Sequence, residues 1–485
     1  MTATRTLPVE ERDGGVPVAL TPALAARVTG EHPAGGDRAG GRPTGEYPAL
    51  VREPLGRLVV RVALPAVVSN LLMTVFLAAD AFWVGRHLGP TALAAVTASV
   101  FWVWMAISVA EMISVGLTAV ASRRHGERRP ADAARATGDA LLLAVVLGTV
   151  VAVAGRTNAG GLLALMHAPA AVAALGARYL GVYALAAPVL YAYFTVDAAF
   201  RASGDTRTPL LVLAGSVAMG LVFDPLLILG RFGFPELGIA GAALATTATR
   251  SVACLVGFLL LRRRGLVRFG RPDAAVLATV LRVGLPTAAT GVLFSVVYVV
   301  IGRSASSLGV PALAALGLGF RVESWLYMVG VGFGAAAAAV IGQNMGAGRV
   351  ERAERAGWTM LGAASVPALV AAAASFAAPA FLAGIFTRDA AVVAETARYL
   401  RIAAVSQLVV CAEVVLEGAL GGAGATVAPM VASTSLTAAR IPLATWATPR
   451  YGAPGLWWAI SLTAVGRGLA MIALWRAGRW KRNRV

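Results

Sequence analysis

Twelve apolar runs, each about long enough to cross a membrane, constrain this chain more than any other feature. A helix needs ~20 predominantly apolar residues to span the hydrocarbon of a bilayer. Runs of that kind occupy 58–83, 92–121, 136–155, 170–200, 209–230, 237–261, 283–302, 312–341, 356–384, 392–420, 427–447 and 453–475. The third is the weakest, with Asp139 near its start and Gly155–Arg156 at its end. Only 14% of the 485 residues are charged, against ~25% in a soluble globular protein. A surface facing lipid accounts for that shortage. The expected fold class is an all-α polytopic membrane protein of twelve transmembrane helices.

The runs form two sets. Leu64–Pro65 returns as Leu285–Pro286, and Leu93-Ala94-Ala95 returns as Leu313-Ala314-Ala315. Arg201-Ala-Ser-Gly-Asp-Thr-Arg-Thr-Pro-Leu210 matches Gly421-Gly-Ala-Gly-Ala-Thr-Val-Ala-Pro-Met430 at an offset of 220, as Gly126 matches Gly346. Arg250 matches Arg467 at a slightly shorter one. A repeat of this length indicates a duplicated unit. Six spans per unit is an even number, so both copies enter the membrane in the same sense and form two parallel-related six-helix lobes. The expected organisation is a disordered tail at 1–50, a first lobe at 51–270, and a second lobe at 271–485 with a short basic tail. The tail at 1–50 mixes Gly, Pro, Thr and both signs of charge without apolar periodicity, and it has no apolar core of a leader peptide.

The net charge of +18 would suggest nucleic acid in a soluble protein. Here the arginines gather in alternate loops: Arg123, Arg124, Arg128 and Arg129; Arg201 and Arg207; Arg262, Arg263, Arg264, Arg268 and Arg271; Arg349, Arg352 and Arg355; and the C-terminal Arg476 to Arg484. The opposing loops carry roughly one each: Arg86, Arg156, Arg231, Arg303, Arg388 and Arg450. Such bias places both termini in the cytoplasm of a plasma-membrane protein. No nucleic-acid partner is expected, and a monomer among membrane lipids suffices.

Carboxylates at membrane depth are costly unless paired, hydrated or protonated. The candidates are Asp80, Glu111, Asp197, Asp224, Glu323, Glu413 and Glu417. Asp80 lies among apolar residues in Val75 to Arg86, where burial favours a bound proton and oxygen donors suit a hard cation such as Na⁺; pairing with Arg86 is the structural alternative. Asp224 precedes Pro225, whose ring disturbs a helix interior and opens backbone carbonyls beside the carboxylate. Asp197 and Arg201, four apart, share a helix face and read first as an ion pair. Glu111 has no basic neighbour at that spacing. Glu323 reaches Arg321 only by rotamer choice, and Tyr327 is better placed. Glu413 and Glu417 stand one turn apart, so one of them needs a proton or a partner. Gln343 and Asn344 end the eighth span, where their amides serve as gate residues or as simple caps. Phe101, Trp102, Trp104, Trp325 and Tyr327 offer aromatic faces for a flat cation, with packing as the alternative for each.

His32, His87, His125 and His167 have no zinc-motif spacing, and Cys254 and Cys411 both sit inside apolar runs, so no metal centre is expected. No Gly-rich loop ending in Gly-Lys-Ser/Thr is present to bind a nucleotide phosphate. An ion gradient is left as the energy source, without a cofactor. A membrane enzyme would need a clustered catalytic constellation, and none is visible.

These pieces in this order resemble the multidrug and toxin extrusion family of antiporters over residues 55–476. The resemblance rests on Ala79-Asp80-Ala-Phe-Trp-Val-Gly-Arg-His-Leu-Gly89, Arg201 to Pro209, Phe223-Asp-Pro-Leu-Leu-Ile-Leu-Gly230, Pro235 to Ala243, and Gly342-Gln-Asn-Met-Gly-Ala-Gly-Arg349. It implies export of cationic, often aromatic compounds in exchange for H⁺ or Na⁺, and it makes Asp80 the first-helix functional Asp. In the branch related to DNA-damage-inducible transporters, Asp224 matches a fifth-helix coupling Asp. Gly220 stands where that branch has Asn, which removes an oxygen ligand and favours H⁺ over sodium at Asp80 and Asp224. The helix-seven carboxylate of another branch has no counterpart between Pro286 and Ser295, and its helix-ten Asp falls near Val410 rather than Glu413. The expected function is secondary active antiport of small hydrophobic or cationic organic compounds. The alternative is a flippase or exporter of a lipid-linked intermediate or a specific natural product.

Overall fold

Acidic caps, glycines and prolines decide where the helices of this chain begin and stop. The computed structural model describes residues 47–165 and 170–483, with some side chains inside helices, those of Asp80 and Phe101 among them, outside the described residues. Its long helices are α1 (Leu64–Gly126), α2 (Pro130–Leu165), α3 (Ala170–Leu185), α4 (Ala187–Ser203), α5 (Arg207–Leu229), α6 (Ile239–Arg263), α7 (Ala274–Ser307), α8 (Val310–Gly346), α9 (Val350–Ala377), α10 (Ala390–Gly422) and α11 (Val427–Ala477). Asp273 and Asp389 cap α7 and α10, accepting from the N–H groups of Ala275 and Val392, each at 2.9 Å. Those donors have no partner within the helix. Gly204 ends α4 in the left-handed region at φ 94°, where a side chain would be strained.

Among the described residues, ten helices are long and apolar enough to cross a membrane, or eleven when a bent pair counts as one span. The protein is therefore an all-α multi-pass membrane protein. The count stops short of the expected twelve for identifiable reasons. The run expected at 170–200 is two helices, α3 and α4, meeting at 52°. Pro188, in the first turn of α4, cannot donate a backbone hydrogen bond and its ring crowds the preceding turn. The runs at 427–447 and 453–475 fall in one 51-residue helix, α11, which carries Pro442, Pro449 and Pro454 and turns at Gly452 (φ 63°, ψ −145°). Helix α1 likewise runs 63 residues without a break, about 95 Å if straight and several times a bilayer core. It contributes to two spans, Leu55–Phe76 and Trp102–Gly126.

The halves of the sequence meet through glycines at the arginine-rich end. A Cβ on Gly126 would overlap the Gln343 carbonyl, and one on Gly346 would overlap that of Arg123. Gln343 and Arg123 are themselves counterparts in the repeat, so α1 and α8 cross by the same contact made twice. Next to them, a Cβ on Gly342 would overlap the Ser122 hydroxyl. Farther from that end, Gly284 of α7 meets the Met112 backbone and Gly332 of α8 meets that of Val67. Small residues allow this approach where lipid gives no hydrophobic driving force between helices. The apolar cores also cross between the halves: Leu58, Val62 and Val67 of the first pack with Val340, Leu416 and Trp475 of the second, and Val280 of the second joins Leu117, Leu190 and Phe200 of the first.

Candidate transport and gating site

In the first half, Asp224 is fully buried on α5. One turn earlier Gly220 faces the ring of Phe76, which a Cβ would overlap. The phenyl ring fills the place of the side chain that Gly220 lacks. Beyond it lies Arg250 of α6, buried, with its guanidinium 5.4 Å from the Phe76 ring centre and 5.2 Å from that of Tyr193. Its Nη2 also reaches the Met73 sulfur at 2.6 Å. The first half thus encloses a resident cation on an aromatic wall. Asp197 pairs with Arg201 at 2.5 Å. The Asp80 side chain lies outside the described residues.

In the second half, Glu413 and Arg467 form a buried ion pair at 3.1 Å, and Ser433 donates to the same carboxylate oxygen at 3.2 Å. Arg440 is 1% exposed. It donates through Nε to the Thr463 hydroxyl at 2.9 Å and lies 5.5 Å from the Tyr298 ring centre. Glu323 turns away from both Arg321 and Tyr327 and accepts the Tyr399 hydroxyl at 2.8 Å. That is a correction: the partner sits on a neighbouring helix, beyond the reach of any spacing rule within one helix.

The repeat explains which charges are matched. Glu413 and Glu417 are the repeat counterparts of Tyr193 and Asp197, and Arg467 is that of Arg250. Where the first half sets an arginine on a tyrosine ring, the second sets one on a carboxylate. Where Arg201 neutralises Asp197, the counterpart is Gly421. Glu417 is therefore left without that partner and is half-buried.

The Glu111 side chain has an accessible face on α1. One turn further along α1, Val115 packs on Gly421, its side chain 3.7 Å from where a Cβ would stand. Glu111 and Glu417 each lie one turn before that contact, on helices of opposite halves. Trp104, Trp325 and Tyr327 are all exposed, whereas Trp102 packs against the cluster of Ala159, Leu163 and Leu180 inside the first half. Phe101 falls outside the described side chains.

Gln343 and Asn344 are fully buried. Gln343 Nε2 donates across the halves to the Ala202 carbonyl at 2.7 Å. Asn344 Nδ2 donates to Leu50 at 3.2 Å and to Val340 at 2.8 Å. Among the described residues no three His, Cys, Asp or Glu side chains gather as metal ligands.

Arg250 and Arg467, which in the sequence mark only the repeat, and Arg440 are interior charges that the sequence reading leaves out. The signal was present: each is an arginine within an apolar run rather than in a loop.

A duplicated membrane fold with charged side chains enclosed in each copy calls for a family that shares both. The MatE family model matches the chain twice, over residues 65–226 and 286–446. The chain belongs to the MatE family. The two matched segments are spaced at the interval of the internal repeat. The probable multidrug resistance protein YoeA of Bacillus subtilis is 30% identical over 296 residues, 59% of this chain and 64% of that relative. The probable multidrug resistance protein NorM of Burkholderia mallei is 30% identical over 434 residues, 86% of this chain and 92% of its own. A MOP superfamily transporter of Pyrococcus furiosus shares the fold, with a TM-score of 0.83 at 22% identity over 91% of this chain and all of its own. MatE proteins are transporters, so this one is a transporter and not an enzyme.

Proposed function

We propose that the protein is a secondary antiporter that exports small hydrophobic or cationic organic compounds in exchange for protons, with Asp80 and Asp224 as the coupling carboxylates. The observation that carries the choice of ion is the surroundings of Gly220. A sodium ion prefers a shell of oxygen donors, and here a phenyl ring, a thioether and a resident guanidinium occupy that neighbourhood. A proton needs only the carboxylate. Phe223-Asp-Pro225 favours the branch related to DNA-damage-inducible transporters. The kink at Gly452 divides α11 into two spans and, with α3 and α4 as one, supports twelve spans in two six-helix lobes at 51–270 and 271–485.

Loop arginines orient the crossed glycine end and both termini towards the cytoplasm. The protein is then shut on that side, as alternating access requires of one of its states. In this reading Trp104, Trp325 and Tyr327 supply aromatic faces to the substrate, with Glu111 and Glu417 as nearby acids and Gln343 and Asn344 in the closed gate. Dye efflux from reconstituted vesicles, driven separately by H⁺ and Na⁺ gradients, tests this reading. Efflux is expected with the proton gradient, and efflux with sodium alone contradicts it.

A second reading has one observation in its favour. Arg440 is buried without a carboxylate within ion-pairing distance among the described residues, which suits a substrate bearing an anionic group, such as a specific natural product. The Pyrococcus furiosus transporter is likewise described as having a binding pocket of reverse polarity. Competition of matched aromatic cations and carboxylates for export separates the two.

A further inference from the structure

The segment before α1 crosses the junction of the two halves at their closed end. Its Tyr47 ring lies between two guanidinium groups, 4.8 Å from Arg128 and 4.9 Å from Arg349. Those arginines occupy corresponding loops of the repeat, so one ring joins the same corner of both copies. Ala49–Arg52 then forms a single helical turn. Leu50, 1% exposed, packs its side chain against Gly204 of the first half at 3.0 to 3.3 Å from where a Cβ would stand. Its carbonyl accepts from Asn344 of the second half at 3.2 Å. The next carbonyl, of Val51, accepts from Arg349 at 3.1 Å, and that of Glu53 accepts from Arg352. One short segment thus holds both halves.

We propose that residues 47–53 are a strap that keeps the arginine-rich end shut, and that its release is a step in opening that end. The contacts to Arg128 and Gly204 belong to one half and those to Asn344, Arg349 and Arg352 to the other. Separating the halves here must break one set. The aromatic bridge suits a reversible lock, because each cation–π contact is weak at an accessible site and the ring serves both cations at once. The exchange of states itself rests on the transport reading, but the strap's hold on this end can be measured without substrate or gradient.

Spin labels at Ala131 and Glu351, exposed repeat counterparts at this end, report the separation of the halves in the full chain with Cys254 and Cys411 replaced by alanine. Tyr47→Leu, which keeps an apolar side chain and loses both cation–π contacts, should raise the population at longer distance about tenfold. Tyr47→Trp should retain the parent distribution, and Leu50→Ala, which loosens the plug over Gly204, should shift it as Tyr47→Leu does. A parent-like distribution in folded Tyr47→Leu overturns the proposal. In the unaltered chain, the peptide covering 47–53 should exchange its amide hydrogens no more slowly than 122–126 and 342–346. A strap that stays protected while those segments exchange overturns it as well, whatever the variants do.

Discussion

At the scale of single residues, much of the chemistry follows from what fills the space beside a charge. Gly220 has Phe76 where a side chain would stand, so Gly220→Ala forces a well-packed ring to move. Overpacking of that kind costs about 1–3 kcal/mol, and the loss should appear as a lower thermal midpoint in detergent; an unchanged midpoint would mean the ring is free to yield. Glu417→Gln should slow export several-fold, because Gly421 leaves this carboxylate without the one-turn partner that Asp197 has in Arg201. Asp197→Asn, made where Arg201 already cancels the charge, should act mainly on stability. Equal rates in Glu417→Gln and the parent would remove Glu417 from the working site. The pairing of Asp197 with Arg201 was legible in the sequence because both lie on one helix. Glu323 with Tyr399 and Glu413 with Arg467 were not, because those partners are far apart in the chain and meet only once α8, α10 and α11 pack.

Among the elements, the helix ends control closure. Gly126 and Gly346 let α1 and α8 cross with backbone against backbone, and alanine at either position drives the halves apart at that end. Gly126→Ala should therefore increase labelling of a cysteine placed at Ser122, which is buried in the closed crossing; unchanged labelling would show that the helices accommodate the methyl by sliding. The C-terminal segment closes the same end from another side. Trp480 stacks on Trp475 at 4.1 Å, and Arg123 donates to the Asn483 carbonyl at 2.9 Å. The loop after α4 adds a pH-dependent tie. Burial works against the Asp205 carboxylate, but hydrogen bonds from Thr208 and the guanidinium of Arg264 prevail and hold its pKa below the ordinary value. A depressed pKa contributes stability above the unfolded value of ~3.9 and loses it as the pH falls through the folded value. Thermal midpoints measured from pH 5 to pH 3 should therefore fall more steeply for the parent than for Asp205→Asn; parallel curves would contradict that tie. Element boundaries were the least legible part of the sequence. Apolar length alone does not distinguish a helix that bends from one that ends, as α1, α3–α4 and α11 each show.

For the whole molecule, duplication was legible and so was membrane residence, because both follow from patterns that run the length of the chain. The asymmetry between the copies was not. One copy retains Asp224; the other neutralises Glu413 with Arg467 and has Arg440 and Ala444 where the first has Gly220 and Asp224. The coupling we propose accordingly lies in the first copy. A carboxylate that binds a proton on one side and releases it on the other changes the free-energy difference between the two access states, and this demands charge at Asp80 and Asp224 rather than their bulk. The decisive measurement is proton-driven dye transport in vesicles containing equal amounts of folded, equally oriented parent, Asp80→Asn and Asp224→Asn protein. Transport should be lost in Asp80→Asn and strongly reduced in Asp224→Asn, while parent rates in both variants would contradict the assignment of coupling to these carboxylates.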